Sequence, residues 1–346
     1  MAAPSVPSKD WKEVIPADEA ARFEGYAVQL RDLARARARG GKASRALHAK
    51  GNAGLEGELT VLPDLPAHAR VGLFAEPRSY PTWVRFSNGV GARQSDKKGD
   101  VRGVALKIVG VDGKKVIPGL EDARTQDFLM IQSSAQPFSN ADDFVWLVTA
   151  AARPLTLLPR LFGHFGLGAG FRLLRKFLGA INRPVSSLAT SSYYSALPTR
   201  FGDYAVRYAL LPRATAPAGA KQGSGADYLG EELSARLAKA PVVYDLKVQF
   251  FVDEVRTPIE DGSVDWAESD SPYLQVATLT LPVQDTKSAR GAAIAEFIEG
   301  LSFDPWHAQE VLRPLGNLMR ARNAAYRLST RERGAAPEPD GSERFG

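Results

Sequence analysis

From Glu56 onward the apolar residues of this chain recur at every second position, and that change of period constrains the fold more than any other feature. The segments YDLKVQFFV and LQVATLTL alternate apolar and polar side chains, as half-buried strands do. Eight stretches read as strands: Gly57–Leu62, Ala69–Phe74, Trp83–Ser87, Val101–Val109, Phe128–Gln132, Tyr204–Leu211, Val242–Phe251 and Leu274–Leu281. Gly, Pro and Asp punctuate them and few helices intervene, which favours an antiparallel barrel over a βαβ sheet. The predicted class is α+β, an antiparallel eight-stranded β-barrel core with flanking and inserted helices.

The helical segments lie around this core. Ala17 to Arg39 predicts a helix that ends at Gly40-Gly41, giving an N-terminal helical arm over residues 1–40. The main domain then spans 41–333. An insertion at 146–181, WLVTAAARPLTLLPRLFGHFGLGAGFRLLRKFLGAI, is apolar, basic and free of acids, and its prolines and glycines divide it into two short helices. It is too interrupted to span a bilayer. Packing against the core or a second subunit, lining a substrate channel, and contact with acidic lipid all suit it, and a homodimer would cover it. His164 within it reads as a packing or capping residue. C-terminal helices at 286–333, Ala289–Glu299 and Leu315–Thr330, precede a tail at 334–346 expected to be loosely held.

Composition removes several classes of function. With no cysteine the chain has no disulfide, thiol nucleophile, Fe–S cluster or cysteine-bound zinc. His48, His68, His164 and His307 form no pair at metal-ligand spacing. Forty-four basic residues against 39 acidic ones leave a net charge of +5, too balanced to argue for nucleic acid. The excess suits an internal anionic group equally well. MAAPSVPSKDW lacks the apolar run of a signal peptide, so the cytoplasm is the expected location.

Three segments carry chemistry. On the last periodic helix Arg322 precedes Tyr326 by four residues, which sets guanidinium and phenol on one face. A neighbouring positive charge favours a phenolate, and a buried phenolate serves as an axial ligand of haem iron. His48 stands in SRALHAKG among small residues that allow close approach; by itself it is an ordinary structural histidine. In WVRFSN, Arg85 and Ser87 share a strand face, and an inward arginine requires an anion or an ion-pair partner. Gly103, in VRGVALK, leaves space where a side chain would obstruct a planar ligand.

Together these segments resemble the haem catalase superfamily. RALHAKG is similar to its distal-histidine segment, WVRFSNG to its arginine–serine strand, DVRGVALKI to the strand that follows, and RNAAYRLSTRER to its proximal tyrosine segment. The resemblance runs from about residue 20 to residue 333, with the four motifs in order. It implies a catalase-like barrel holding haem b, with Tyr326 as metal ligand and Arg322 stabilising its phenolate. His48 would handle peroxide, Ser87 would fix the histidine tautomer, and Arg45, Arg85 and Arg333 would neutralise propionates or steady the proximal side.

Two departures bear on the reaction. The family's distal asparagine aligns with Glu121–Ile131, which contains none. Within a one-residue shift Arg124, Thr125 or Gln126 stands there, and Thr125 and Gln126 are the candidates to donate a hydrogen bond to peroxide. Phe138 is the candidate for the phenylalanine on the distal haem face. The chain is also shorter than a full catalase. The resemblance therefore implies a peroxidase-like enzyme that uses a peroxide with a small or lipid-like organic donor and has weak or no catalase activity. A fatty acid hydroperoxide-metabolising enzyme, and a haem-binding or sensing protein without turnover, are the alternatives.

Overall fold

Every strand from Gly51 to Leu281 joins one antiparallel sheet in a computed structural model that describes residues 7–37, 45–215 and 222–345. In chain order the strands are β1 (Gly51–Val61), β2 (Ser79–Asn88), β3 (Arg102–Val109), β4 (Thr125–Ile131), β5 (Tyr193–Tyr194), β6 (Thr199–Phe201), β7 (Tyr204–Pro212), β8 (Val242–Phe250) and β9 (Leu274–Leu281). The order β5-β4-β3-β2-β1-β9-β8-β7, with β5 also paired to β7, closes a ring of eight, and β6 hangs on β7. Closure leaves the ring strands no free edge.

The eight expected strands are not the eight in the ring. Ala69–Phe74 forms two 3-10 turns, Ala67–Ala69 and Gly72–Phe74, with Gly72 at φ 55°. Its apolar run is buried as a plug beneath the barrel core, and the left-handed glycine interrupts extension. The two residues of β5 complete the ring instead. Inside, Leu55, Phe86, Leu106, Tyr208, Tyr244, Leu246 and Leu279 form the core, which α4 (Tyr228–Leu237) extends with Leu229, Leu233 and Leu237.

β3 is buried on both faces. Val104, Leu106 and Ile108 face the core, while Gly103, Ala105 and Lys107 face outward beneath the helices and the chain end. Those helices are α1 (Glu19–Arg37), α2 (Ala141–Ala150), α3 (Pro154–Ile181), α5 (Ala289–Gly300) and α6 (Asn317–Arg333). The expected stop of the first helix at Gly40-Gly41 lies outside the described residues, as do residues 1–6 and Gly346. The insertion is kinked at Gly166 (φ 73°), which divides α3 in two. His164 is exposed and stacks on Trp146 with ring centroids 4.2 Å apart.

Among the described residues no helix is long and apolar enough to cross a membrane. The tail does not behave as the loose terminus that its Gly/Pro/Glu composition predicts. Glu338 reaches Lys107 at 2.6 Å, Ala336 N–H donates to the Gly300 carbonyl, and Phe345 packs on Trp83 and Phe297. A buried lysine needs more than one acceptor, and that need ties the chain end down.

Candidate active site

Helix α6 is held rigidly before it reaches its functional residues. Arg320 is paired with Glu13, Glu19 and Glu260, and the Asn317 N–H donates to Glu260. Leu318, Met319, Ala321 and Ala324 bury one stripe, and Gly334, left-handed at φ 58°, ends the helix. Between these fixed points the Arg322 Nη2 donates to Tyr326 Oη at 2.9 Å, with the guanidinium 5.2 Å from the ring centroid. Both residues face a cavity of ≈ 270 Å³.

Another part of the wall is the barrel. His48 leads into β1 with φ 55°, a left-handed conformation uncommon for a residue with a side chain. Its backbone N–H donates to the Gly89 carbonyl at 2.8 Å, and its Nδ1 lies 2.9 Å from Ser87 Oγ. A Cβ at Gly103 would stand 2.7 Å from His48 Cε1 and 3.0 Å from Nδ1. Gly103 thus makes room for the imidazole ring. Burial, with the charges of Arg85, Arg322 and Arg45, pushes the His48 imidazole down to about 3, so the ring is neutral near pH 7.

Three arginines gather at the same cavity. Arg85 Nε and Arg45 Nη1 pair with Glu299, at 2.8 and 2.5 Å, and Arg85 Nη2 also donates to the His48 carbonyl. Burial and the neighbouring Arg85 and Arg333 charges bring the Arg45 guanidinium down to about 9. Arg333 lies on the wall with a buried Nε that has no hydrogen-bond partner. A buried donor without an acceptor is costly, and an anion in the cavity would satisfy it.

The remaining wall is mostly apolar: Ala105, Leu129, Phe138, Phe144, Phe303 and Ala325 are among its residues. The chemistry of its lining fits haem b, with a phenol donor, a neutral imidazole, apolar residues and a cationic end. Of the residues read from the sequence, His48, Ser87, Arg45, Arg85, Phe138, Arg322, Tyr326 and Arg333 share this cavity.

Thr125 and Gln126 do not, which corrects their expected place beside the peroxide. Thr125 Oγ donates to Glu338 at 2.6 Å, and Gln126 Oε1 accepts from the Gln309 N–H and lines a separate cavity of ≈ 20 Å³. The pairing register explains the miss. Thr125 pairs with Val109, whereas Gly103, beside His48, pairs with Ile131 at the other end of β4, roughly 20 Å along the strand. At that end Leu129, Met130 and Ile131 line the cavity, and the carboxamide on its wall is Gln136. Glu299 was also missed, because no local pattern marks a carboxylate whose partners lie 214 and 254 residues away.

A catalase-related peroxidase of Mycolicibacterium paratuberculosis is 30% identical, over 85% of this chain and 92% of that protein. The chain belongs to the catalase-like haem-protein superfamily. No family model matches it. Among solved structures, a bacterial catalase aligns over 97% of this chain and 64% of its own, with TM-score 0.61 and 17% identity. A fungal catalase (TM-score 0.60, 16% identity, 67% of its chain) and catalase A of Saccharomyces cerevisiae (0.59, 14%, 68%) share the fold. This superfamily member thus spans about two thirds of the length of those catalases.

Proposed function

We propose that the cavity holds haem b and that the chain is a peroxidase, using a peroxide to oxidise an organic donor. The observation that carries this reading is the joining of two polar pairs, Arg322–Tyr326 and His48–Ser87, to an arginine trio on one otherwise apolar cavity. Haem, when bound, supplies an iron centre able to take oxidising equivalents from a peroxide and pass them to a donor.

Tyr326 Oη would hold the haem iron, and the Arg322 guanidinium, donating to that oxygen at 2.9 Å, would orient it. Arg45, Arg85 and Arg333 on the cavity wall outnumber the one carboxylate, Glu299, that pairs with Arg45 and Arg85, and this cationic end suits the haem propionates. For His48 to act as a base at Nε2, its Nδ1–H must donate to Ser87 Oγ, so the serine selects the tautomer. Nε2 then accepts the proton of bound peroxide and delivers it to the oxygen that departs as water.

The apolar barrel side of the cavity favours a second reading for the substrate. Leu129 and Ile131 offer no hydrogen bond from their side chains to hydrogen peroxide but suit the chain of a fatty acid hydroperoxide.

Haem-loaded protein should be assayed with hydrogen peroxide alone, hydrogen peroxide plus a phenolic donor, and a fatty acid hydroperoxide. Donor oxidation should exceed oxygen evolution, and His48→Ala should slow peroxide consumption by about 10²-fold or more. Brisk oxygen release from hydrogen peroxide alone would contradict the peroxidase reading. Hydroperoxide turnover that needs no donor would select the second.

A further inference from the structure

The insertion leaves a surface that the cavity does not use. Leu161 and Leu173 are buried against Leu147, which fixes the α3 segments on α2. Beyond that contact, large apolar side chains point into solvent: Leu155 is 97% exposed, Leu167 78% and Phe171 63%, with Leu158 and Leu178 about half exposed. At 100° per residue, Leu167, Phe171 and Leu178 fall within about 40° of one another on the segment after the kink. Arg175, Arg172 and Lys176 occupy the adjoining exposed arc, away from the buried Leu173.

The charge of this region has one sign. Arg153, Arg160, Arg172, Arg175, Lys176 and Arg183 are all exposed, and no aspartate or glutamate occurs between Asp143 and Asp203. A symmetric contact with a second copy would set two acid-free basic surfaces face to face. A surface with negative headgroups above a hydrocarbon layer complements both the arginines and the leucines.

We propose that α3 is a peripheral docking surface for anionic phospholipid bilayers, with Leu167, Phe171 and Leu178 entering the interface and the basic arc meeting the headgroups. Phe138 packs with the buried side of α2 and α3 and also lines the cavity, so the docking helix backs onto the site's wall. Nothing in this surface depends on the cofactor.

Flotation of the purified full-length chain with vesicles tests it. Protein should bind phosphatidylcholine–phosphatidylglycerol vesicles, bind phosphatidylcholine alone weakly, and release as salt rises. Arg172→Glu with Arg175→Glu and Lys176→Glu should lower the affinity at least about tenfold, since each basic residue near such a surface contributes about fivefold. Leu167→Asp with Phe171→Asp should weaken it even at low salt. Because these side chains are exposed, circular dichroism and the melting temperature should not change. Equal binding to both vesicle types, or to neither, would overturn the proposal. So would a concentration-dependent dimer, seen by sedimentation velocity, that Leu167→Asp with Phe171→Asp dissociates without affecting vesicle binding.

Discussion

Two clusters of charge, one buried around Lys107 and one half-buried around Glu299, lie against the outer face of the barrel, and they differ in how their polar groups are matched. Around Lys107, every polar partner is in place. Its ammonium, fully buried, meets Asp127 at 2.8 and 2.9 Å, Glu338 at 2.6 Å and His307 Nδ1 at 3.1 Å. Burial alone would lower the lysine, yet Asp127 and Glu338 raise it above its usual value. Asp127 also accepts the Asp304 N–H, and burial pushes the Asp304 carboxyl up to about 6. Around Glu299, by contrast, Arg45 and Arg85 share one carboxylate, Arg45 is held below its ordinary value, and the Nε of nearby Arg333 is unsatisfied. The first cluster is closed and holds the fold together. The second keeps a buried guanidinium donor with no acceptor, as a site built for an anion would.

That contrast yields graded outcomes. Lys107→Met leaves Asp127 buried without its counter-ion and should cost about 3–5 kcal/mol of stability, read from the urea midpoint. Adding Asp127→Leu should return part of that loss. Ending the chain after Gly334 removes Glu338 and Phe345 and should cost about 2 kcal/mol by the same measurement. Arg333→Leu should leave stability unchanged or raise it by about 1 kcal/mol, because it removes a buried donor that has no acceptor. Its haem affinity, from absorbance titration, should nevertheless fall about tenfold or more, the cost of a lost charge-assisted hydrogen bond. If Arg333→Leu destabilised the chain as much as Lys107→Met, the distinction between the clusters would fail.

Strands with one buried face were legible because burial follows their alternation, as Val242–Phe250 shows. β5 and β6, with two and three residues, are too short to carry a period, and a buried turn at Ala69–Phe74 has the same apolar composition as a strand. Helix α4 was missed between two strands. Most of the residues now on one cavity were found because they sit in local motifs, RALHAKG, WVRFSN or RNAAYRLSTRER. Thr125 and Gln126 were misplaced because hairpin register is set by pairing partners rather than by the segment itself. Glu299 and Glu338 escaped notice because their roles exist only through contacts with distant residues.

Tyr326, supported by Arg322, is proposed as the oxygen ligand of haem in the cavity that His48 shares. The most direct test is the absorbance spectrum of haem-reconstituted protein beside that of Tyr326→Phe, with circular dichroism to establish that both are folded. High-spin ferric tyrosinate bands in the wild type that vanish or shift sharply in Tyr326→Phe are the expected result. Identical spectra from the two folded proteins would contradict the account.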